Sequence, residues 1–168
     1  RAQLAYLAKQ VNGETENGGK VNDKKEDYNG SYFILTADID MSSFFWTPIG
    51  KDSKHPFKGN FDGKGYCVKG LKVRQENTPK DNVYAGLFGR ASVGMLRNLG
   101  VRLSDAGIQA NGGSAYVGGI AGYAHKIFNC YVVGEGTIEA SISEEGSIYA
   151  GGIVGNLDSD GSLTNCYA

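Results

Sequence analysis

The chain has 168 residues and a formal net charge of −1, so it is long enough for one domain with a continuous core and too nearly neutral to be a general binder of polyanions. Its 26 glycines and 3 prolines are typical of a fold with many tight turns, and they exclude a proline-rich disordered composition. No apolar run approaches the roughly 20 residues of a membrane-spanning helix, and the charge predicts no nucleic-acid partner.

The first predicted element is an amphipathic helix over residues 2–11, followed by Gly13 as a stop signal. Its apolar residues fall at helical spacing: Leu4, Leu7, Ala8 and Val11. A helix this short is not stable alone in water. We expect it to cap the N-terminal end of a β-structure, where apolar side chains and unpaired strand edges would otherwise meet solvent. Residues 14–29 are predicted to be a polar loop of mixed charge.

Residues 31–41, SYFILTADIDM, are predicted to form the first strand, with an apolar run that indicates burial on both faces. That run is Tyr32, Phe33, Ile34 and Leu35. Asp38 and Asp40 share one side of this extended segment, which would suit a metal site or a carboxylate pair. In the LTADID context a structural role is favoured, in which both carboxylates accept hydrogen bonds from turn amides.

Trp46 is the only tryptophan and lies in FFWTPIG, beside a proline turn. An exposed tryptophan can stack on a sugar ring, but this one is expected to fill the junction between the capping helix and the first coil of the β-structure. His55 and His125 have no acidic, serine, cysteine or histidine partner at a recognisable spacing. Neither histidine is therefore predicted to be catalytic or to bind a metal.

One short pattern then recurs through the chain. YAGLFGRASVGMLRNLGV at residues 84–101 returns as YVGGIAGYAHKIFNCYVV at 116–133 and as YAGGIVGNLDSDGSLTNCYA at 149–168, and FKGNFDGKGYCVKGLKV at 57–73 is a looser copy. The glycines that end the apolar GLFG, GGIAG and GGIVG segments recur every 33 residues, at positions 89, 122 and 155. Glycine-rich repeats of this length without helical periodicity favour a β-solenoid over repeats built from helix pairs.

Aligning the ends of the four copies gives columns of matching residues. The first, aliphatic column contains Val68, Leu96, Ile127 and Leu163, and the third contains Gly70, Asn98, Asn129 and Asn165. The fourth column contains Leu71, Leu99, Cys130 and Cys166, and the sixth contains Val73, Val101, Val132 and Ala168. Because glycine and asparagine readily adopt left-handed backbone conformations, a turn or bulge is predicted at the third column. Stacked copies would place matching residues roughly 4.8 Å apart.

The cysteines give no disulfide framework. Cys130 and Cys166 share a column, but stacked side chains in parallel strands point the same way, which holds their Cβ atoms farther apart than the roughly 3.8 Å that a disulfide prefers. Cys67 lies outside this column, so the number of cysteines is odd. The two stacked residues are predicted to be small buried thiols.

Three polar segments between the copies are predicted to be insertion loops, namely Glu76–Asn82, Ser104–Ala115 and Glu135–Ser147. Insertions in solenoids cluster on one face, so these loops are the predicted place for binding. Residues 156–161 match the opening of a calcium loop through Asn156, Asp158 and Asp160, but Tyr167 stands where the bidentate glutamate is expected. An ordinary turn rich in aspartate and glycine has the same letters, and we favour it over a calcium site.

These motifs resemble a known family. The G-L-F-G and G-G-I-[AV]-G segments, followed by N-[LC], look like the GLUG repeat of bacterial surface proteins, which also occurs beside the catalytic parts of immunoglobulin A-cleaving metallopeptidases. The upstream AQLAYLAKQVNG, YFILTADIDMSS, WTPIG and FKGNFDGKGYCVKGL resemble the module that often precedes this repeat, so the resemblance covers nearly the whole chain. It implies a mainly β fold, a right-handed parallel β-helix-like solenoid of about four irregular coils with a short N-terminal capping helix. It implies no reaction.

Within one continuous domain, residues 1–56 are predicted to form the capping helix and the strands that lead into the solenoid, and residues 57–168 to form the GLUG-type repeats. The chain begins at Arg1 and stops inside a repeat, so we expect it to be a piece of a longer protein. The resemblance implies an extracellular or bacterial cell-surface location.

The predicted function is that of a non-catalytic module of a bacterial cell-surface protein, serving adhesion and ligand binding or acting as a rigid spacer. No catalytic, cofactor-binding or metal-binding residue and no cofactor is assigned. The expected partners are a host or cell-surface glycan or protein and the flanking domains of the same chain. The alternative is a polysaccharide-active enzyme, a lyase or glycosidase, on a parallel β-helix. Its candidate carboxylates are Asp38, Asp40, Asp52 and Asp62.

Overall fold

The computed structural model describes residues 1–14, 27–143 and 145–168, and these residues form one helix followed by short and medium-length strands. The helix is α1 (Ala2–Val11). The strands are β1 (Tyr32–Ile34), β2 (Ile39–Asp40), β3 (Asn60–Asp62), β4 (Cys67–Glu76), β5 (Val83–Ala85), β6 (Phe88–Arg97), β7 (Gly100–Gly112), β8 (Ala115–Gly118), β9 (Ala121–Phe128), β10 (Tyr131–Val133), β11 (Ile138–Ile142), β12 (Ile148–Gly151) and β13 (Val154–Thr164).

The strands form three parallel sheets through which the chain passes in turn. The first sheet has the order β1-β3-β6-β9-β13, the second β2-β4-β7-β10 with β11 also paired to β7, and the third β5-β8-β12. The first coil adds β1 and β2 to the first and second sheets only. From β3 onward the chain visits the first, second and third sheets in turn, and both β10 and β11 belong to the second sheet. This arrangement is a parallel β-solenoid of about four coils, and it confirms the predicted fold.

The regular copies stack in the predicted register. Leu96 pairs with Ile127 and Ile127 with Leu163, while Phe88, Ala121 and Val154 form a second column. The turn asparagines Asn98, Asn129 and Asn165 all have a left-handed φ, of 50°, 53° and 53°. Their side chains form a ladder in which each amide nitrogen donates to the amide oxygen one coil earlier, at 2.9 Å in both steps. Asparagine therefore serves both the turn and the stack.

The predicted alignment of the first, looser copy is wrong. Val68 pairs with Val101, and the residue that pairs with Leu96 is Phe61. The physical reason is a longer turn between the first and second sheets in this coil, where Lys64 and Gly65 both adopt positive φ. Gly70 has the expected left-handed φ, but it lies within β4 and not in a turn. A Cβ at this position would lie 2.8 Å from the Cβ of Ser42, so glycine is needed here for the close approach of Ser42.

The predicted burial of residues 32–35 on both faces is also wrong. Tyr32 and Ile34 are 78% and 58% exposed, Phe33 is half-buried and Leu35 is buried. A solenoid strand has one face in the core and the other in solvent, so its side chains alternate between the two environments. The segment is divided into β1 and β2, which belong to different sheets.

One of the three predicted insertion loops is almost entirely strand, and a second contains a strand in its middle. β7 continues through Gly112, and β11 pairs with it from Ile138 to Ile142. The end of β4 pairs with the same stretch of β7, so three successive coils extend the second sheet here. A left-handed Gly107, with φ of 58°, lets β7 bend before this extension. Between β4 and β5 the predicted loop remains, from Asn77 to Asn82.

Helix α1 forms as predicted, and its apolar face joins the same hydrophobic core as the solenoid strands. The buried side chain of Asn12 fixes its C-terminal end by donating to the carbonyl of Pro48 at 3.0 Å and accepting the backbone N–H groups of Gly50 and Lys51, each at 3.0 Å. Trp46 is buried, and its indole N–H donates to the carbonyl of Leu87 at 2.9 Å. The structural role predicted for the tryptophan is confirmed.

All three cysteines are free thiols, as predicted for the stacked pair. Cys130 is buried, and burial raises the pKa of its thiol to about 12. Its backbone N–H donates to the Sγ of Cys166 at 3.4 Å, which shows that the two residues stack. Cys166 is only half-buried, in contrast to the prediction, because it lies in the outermost coil.

Candidate functional site

The carboxylates of the first strands have structural partners. Asp38 accepts a hydrogen bond from the backbone N–H of Cys67 at 2.9 Å and pairs with Lys69 at 2.6 Å. Asp40 accepts the backbone N–H of Ser42 at 2.8 Å. The hydrogen bond from Lys69 holds the pKa of Asp38 below its usual value, and the Ser42 amide does the same for Asp40. The predicted structural role of both residues is confirmed.

Asp62 is buried and organises the longer turn of the first coil. Its carboxylate accepts the side-chain amide of Asn98 and the Nε–H of Arg97, both at 3.0 Å, and the backbone N–H of Lys64 at 2.8 Å. Burial by itself raises the pKa of Asp62, but these hydrogen bonds and the charges of Arg97 and Lys64 outweigh burial and lower it. The same carboxylate therefore begins the asparagine ladder.

Asp52 and His55 form a pair that sequence spacing did not reveal. The Nδ1 of His55 lies 2.7 Å from the Oδ1 of Asp52, which also accepts the backbone N–H groups of Lys54 and His55 at 2.8 and 2.9 Å. This carboxylate closes a local turn. The four carboxylates proposed for an enzyme thus have four separate sets of partners.

His125 also has acidic neighbours, contrary to the prediction from sequence. Its Nδ1 lies 3.8 Å from Asp158 and 3.6 Å from Asp160, and the hydroxyl of Tyr123 donates to Asp158. The hydrogen bond to Asp158 raises the pKa of Tyr123, so its hydroxyl stays protonated at neutral pH. The signal in the sequence was the repeat length, because adding 33 residues to His125 gives Asp158.

The segment with the letters of a calcium loop lies within β13. Its ladder shifts register between Leu157 and Ser162, and Asp160 is largely exposed. In residues 1–14, 27–143 and 145–168, no three His, Cys, Asp or Glu side chains come together as a set of metal ligands. Asp158 instead accepts a hydrogen bond from the Tyr123 hydroxyl. The register shift makes the segment a bulged strand.

The tyrosines that begin the regular copies form a stack, which we call the tyrosine stack (Tyr84, Tyr116 and Tyr149). The ring centroids are 4.8 and 4.7 Å apart, with interplanar angles of 13° and 10°. Tyr123 approaches Tyr116 edge-on at 6.1 Å, and Arg90 lies over the rings of Tyr84 and Tyr123. We call the tyrosine stack together with Arg90 and Tyr123 the aromatic corner.

Glycine makes this corner possible. A Cβ at Gly122 would lie 2.4 Å from the carbonyl oxygen of Tyr116, and one at Gly155 would lie 2.5 Å from that of Tyr149. The chain therefore turns from the third sheet into the first within a space that admits only glycine, which brings Tyr123 beside Tyr116.

Parts of the segments predicted to carry binding, together with the neighbouring residues of β4 and β12, line a groove of about 740 Å³. Each of three adjacent strands, β4, β7 and β11, places polar side chains at matching positions along it. One row is Arg74, Gln109 and Glu139, and the other is Glu76, Asn111 and Ser141. Ile138, Ile148 and Ala150 add an apolar part. The groove thus has the mixed apolar and polar lining that small-molecule sites share.

An aromatic side chain extends the polar end of the groove. Phe45 is 48% exposed, and its ring lies under the guanidinium of Arg74 at 5.0 Å and the ammonium of Lys72 at 5.4 Å. Both cations hold the ring through cation–π contacts. The sequence predicted nothing for Phe45, which precedes the buried Trp46.

No family model, no curated protein and no solved structure matches this chain. Within the described residues, no helix has both the length and the apolar character needed to cross a bilayer. The geometry of the groove and the aromatic corner is therefore the basis for the functional argument.

Proposed function

We propose that this chain is a non-catalytic module that binds a glycan through the groove. The observation that carries the proposal is the repetition of polar side chains in the groove by three successive coils. Gln109, Asn111 and Ser141 offer neutral donors and acceptors, which suit the hydroxyl groups of a saccharide. A ligand that lies along the solenoid axis meets one such side chain from each coil.

We further propose that the chain is a GLUG-type repeat of an extracellular or bacterial cell-surface protein, in which the module serves adhesion. Support comes from the glycine-bounded segments and the N-[LC] turns, which carry the resemblance and stack coil on coil. The flanking domains of the same protein and a host or cell-surface glycan are the proposed partners. A rigid spacer is the other form of this proposal, and the continuous core supports it equally.

An array of glycans and matrix proteins, probed with the wild-type chain, tests the proposal. The Gln109→Ala/Asn111→Ala variant should lose binding, because both side chains line the groove. Thr164→Ala, at an exposed position of β13, is the matched control and should bind as the wild type does. If the wild type binds nothing on the array, the spacer is favoured. If it binds a protein and no glycan, the proposed ligand is a protein and not a glycan.

A polysaccharide-active enzyme is the second candidate, and one observation favours it. Tyr123, His125 and Asp158 come together on the first sheet, where a tyrosine and a histidine can take part in proton transfer. Release of unsaturated uronate or reducing ends from a panel of polysaccharides, abolished in His125→Ala, would establish this function. Binding without product release supports the non-catalytic module.

A further inference from the structure

Arg90 has an unusual environment in the aromatic corner. Its guanidinium carbon lies 4.2 Å from the ring centroid of Tyr123 and 5.7 Å from that of Tyr84, and the residue is half-buried. Cation–π contacts with two rings restrict the orientation of a side chain that is otherwise flexible. The positive charge is therefore held in one place before any ligand arrives.

The described residues supply no paired counter-charge to this guanidinium. Arg97 pairs with Asp62, whereas no carboxylate of the described residues forms an ion pair with Arg90. Asp158 belongs to the same surface, but it accepts the Tyr123 hydroxyl and faces His125. A guanidinium has five N–H donors, and Arg90 uses one in a 3.5 Å contact with the Tyr84 hydroxyl.

The neighbouring hydroxyls are of the right kind to bind an anion. Burial raises the pKa of Tyr116 even though the nearby charge of Arg90 acts in the opposite direction, so this phenol remains a neutral donor at physiological pH. Tyr84 lies in the same stack and contacts Arg90 directly. The corner thus combines one fixed cation with hydroxyl donors.

We propose that Arg90, with the hydroxyl of Tyr116, binds the carboxylate of an acidic saccharide, while the buried Tyr84 contacts and positions the guanidinium. A guanidinium matches a carboxylate in geometry and can donate two parallel hydrogen bonds to it. β8 is paired on both edges, by β5 and β12, so a peptide cannot add to it as a strand. The corner offers side-chain hydroxyls and stacked aromatic surface, which suit a sugar.

This site is separate from the groove. Tyr149 lies between Ile148 and Ala150 in β12, and successive side chains of a strand point to opposite faces. Ile148 and Ala150 line the groove, whereas Tyr149 belongs to the tyrosine stack. Failure of binding at one site therefore leaves the other unaffected.

Titrations of the ¹⁵N-labelled chain with a galacturonic acid tetramer, a galactose tetramer and inorganic sulfate test the proposal. We expect the acidic tetramer to shift the Arg90 side-chain resonance and the backbone amides around Tyr123, and the neutral tetramer to leave them in place. Arg90→Gln should weaken binding of the acidic tetramer about tenfold or more. Arg102→Gln, at an exposed position on another sheet, is the control and should bind normally.

Tyr116→Phe keeps the ring in the stack and removes only the hydroxyl, so it tests the site even if Arg90→Gln does not fold. It should weaken binding severalfold. Equal shifts with both tetramers, or unchanged affinity in a folded Arg90→Gln variant, would overturn the proposal. Sulfate binding at Arg90 without binding of the acidic tetramer would also overturn it, because the site would then lack saccharide recognition.

Discussion

The regular coils and the first coil are held together in different ways. From Tyr84 onward, like residues stack on like: tyrosine on tyrosine, asparagine on asparagine, and aliphatic on aliphatic residues. The first coil depends on single polar contacts, such as Asn12 with Gly50 and Asp62 with Asn98. A contact between like residues recurs wherever the repeat recurs, whereas each contact of the first coil requires its own pair of residues. The first coil therefore tolerates a longer turn that the regular coils do not have.

The largest expected effect comes from a charge in the core of the regular coils. Leu99 is buried, and Leu99→Asp would place an unpaired carboxylate there, which should lower the free energy of unfolding by more than about 3 kcal/mol. Loss of the cooperative thermal transition is the expected result. Val93→Asp, at a position that is 55% exposed, is the control and should leave the transition almost unchanged. A folded Leu99→Asp variant would contradict the predicted register of this column.

The glycines that make the aromatic corner possible should be the next most sensitive positions. A Cβ at Gly122 would lie 2.4 Å from one backbone oxygen and 2.9 Å from another backbone atom, so Gly122→Ala should destabilise the chain by about 3 kcal/mol. Gly65 in the first coil has positive φ but nothing within 4 Å of a Cβ, so Gly65→Ala should cost only about 1 kcal/mol. Denaturant unfolding measures both values. A loss in Gly122→Ala no larger than that in Gly65→Ala would contradict the role of close contact at Gly122.

Asp62 provides a test of the first coil. Asp62→Asn keeps the size of the side chain but removes the charge that accepts hydrogen bonds from Arg97, Asn98 and Lys64. We expect a loss of about 2 kcal/mol at pH 7, measured by denaturant unfolding. Asp38→Asn removes an exposed carboxylate and should have a smaller effect. If Asp62→Asn leaves the free energy of unfolding unchanged, the asparagine ladder does not depend on the charge of Asp62.

The same residue predicts a pH dependence. The pKa of Asp62 is lower in the folded chain than its usual value near 4, so its charge stabilises the fold above that value. As the pH falls through the folded-state pKa, protonation removes this stabilisation. The difference in unfolding free energy between wild type and Asp62→Asn should therefore be full at pH 7 and shrink below about pH 4. A difference that is constant from pH 7 to pH 3 would contradict the ionic role.

The smallest effect is expected in the asparagine ladder. Asn129→Gly keeps the left-handed turn and loses only the side-chain hydrogen bonds with Asn98 and Asn165, so it should cost about 0.5 kcal/mol. Asn129→Ala also strains the backbone and should cost about 1 kcal/mol more. Thermal unfolding of the two variants compares the contribution of the left-handed turn with that of the side-chain hydrogen bonds. Greater stability of Asn129→Ala than of Asn129→Gly would contradict this division.

Prediction from sequence succeeded where the repeat supplied the information. The spacing of Gly89, Gly122 and Gly155 gave the solenoid, and the N-[LC] turns gave the left-handed asparagines. It failed for Val68, because the longer turn before β4 shifts the residues that follow it relative to those of the regular copies. Val68 therefore pairs with Val101 and not with Leu96. It also failed for His125, because pairing with Asp158 is a contact across coils that local spacing does not display.

The sequence by itself determined the number and content of the coils, since a periodic pattern of glycine, asparagine and apolar residues can close a core only by stacking. The tertiary structure alone decided which polar residues meet. It placed Asp62 under Asn98, put Arg90 between two tyrosines, and turned predicted loops into the strands of the groove. The reason is that stacking is set by the repeat, whereas contacts between sheets depend on the geometry of each turn, which no single copy of the pattern contains.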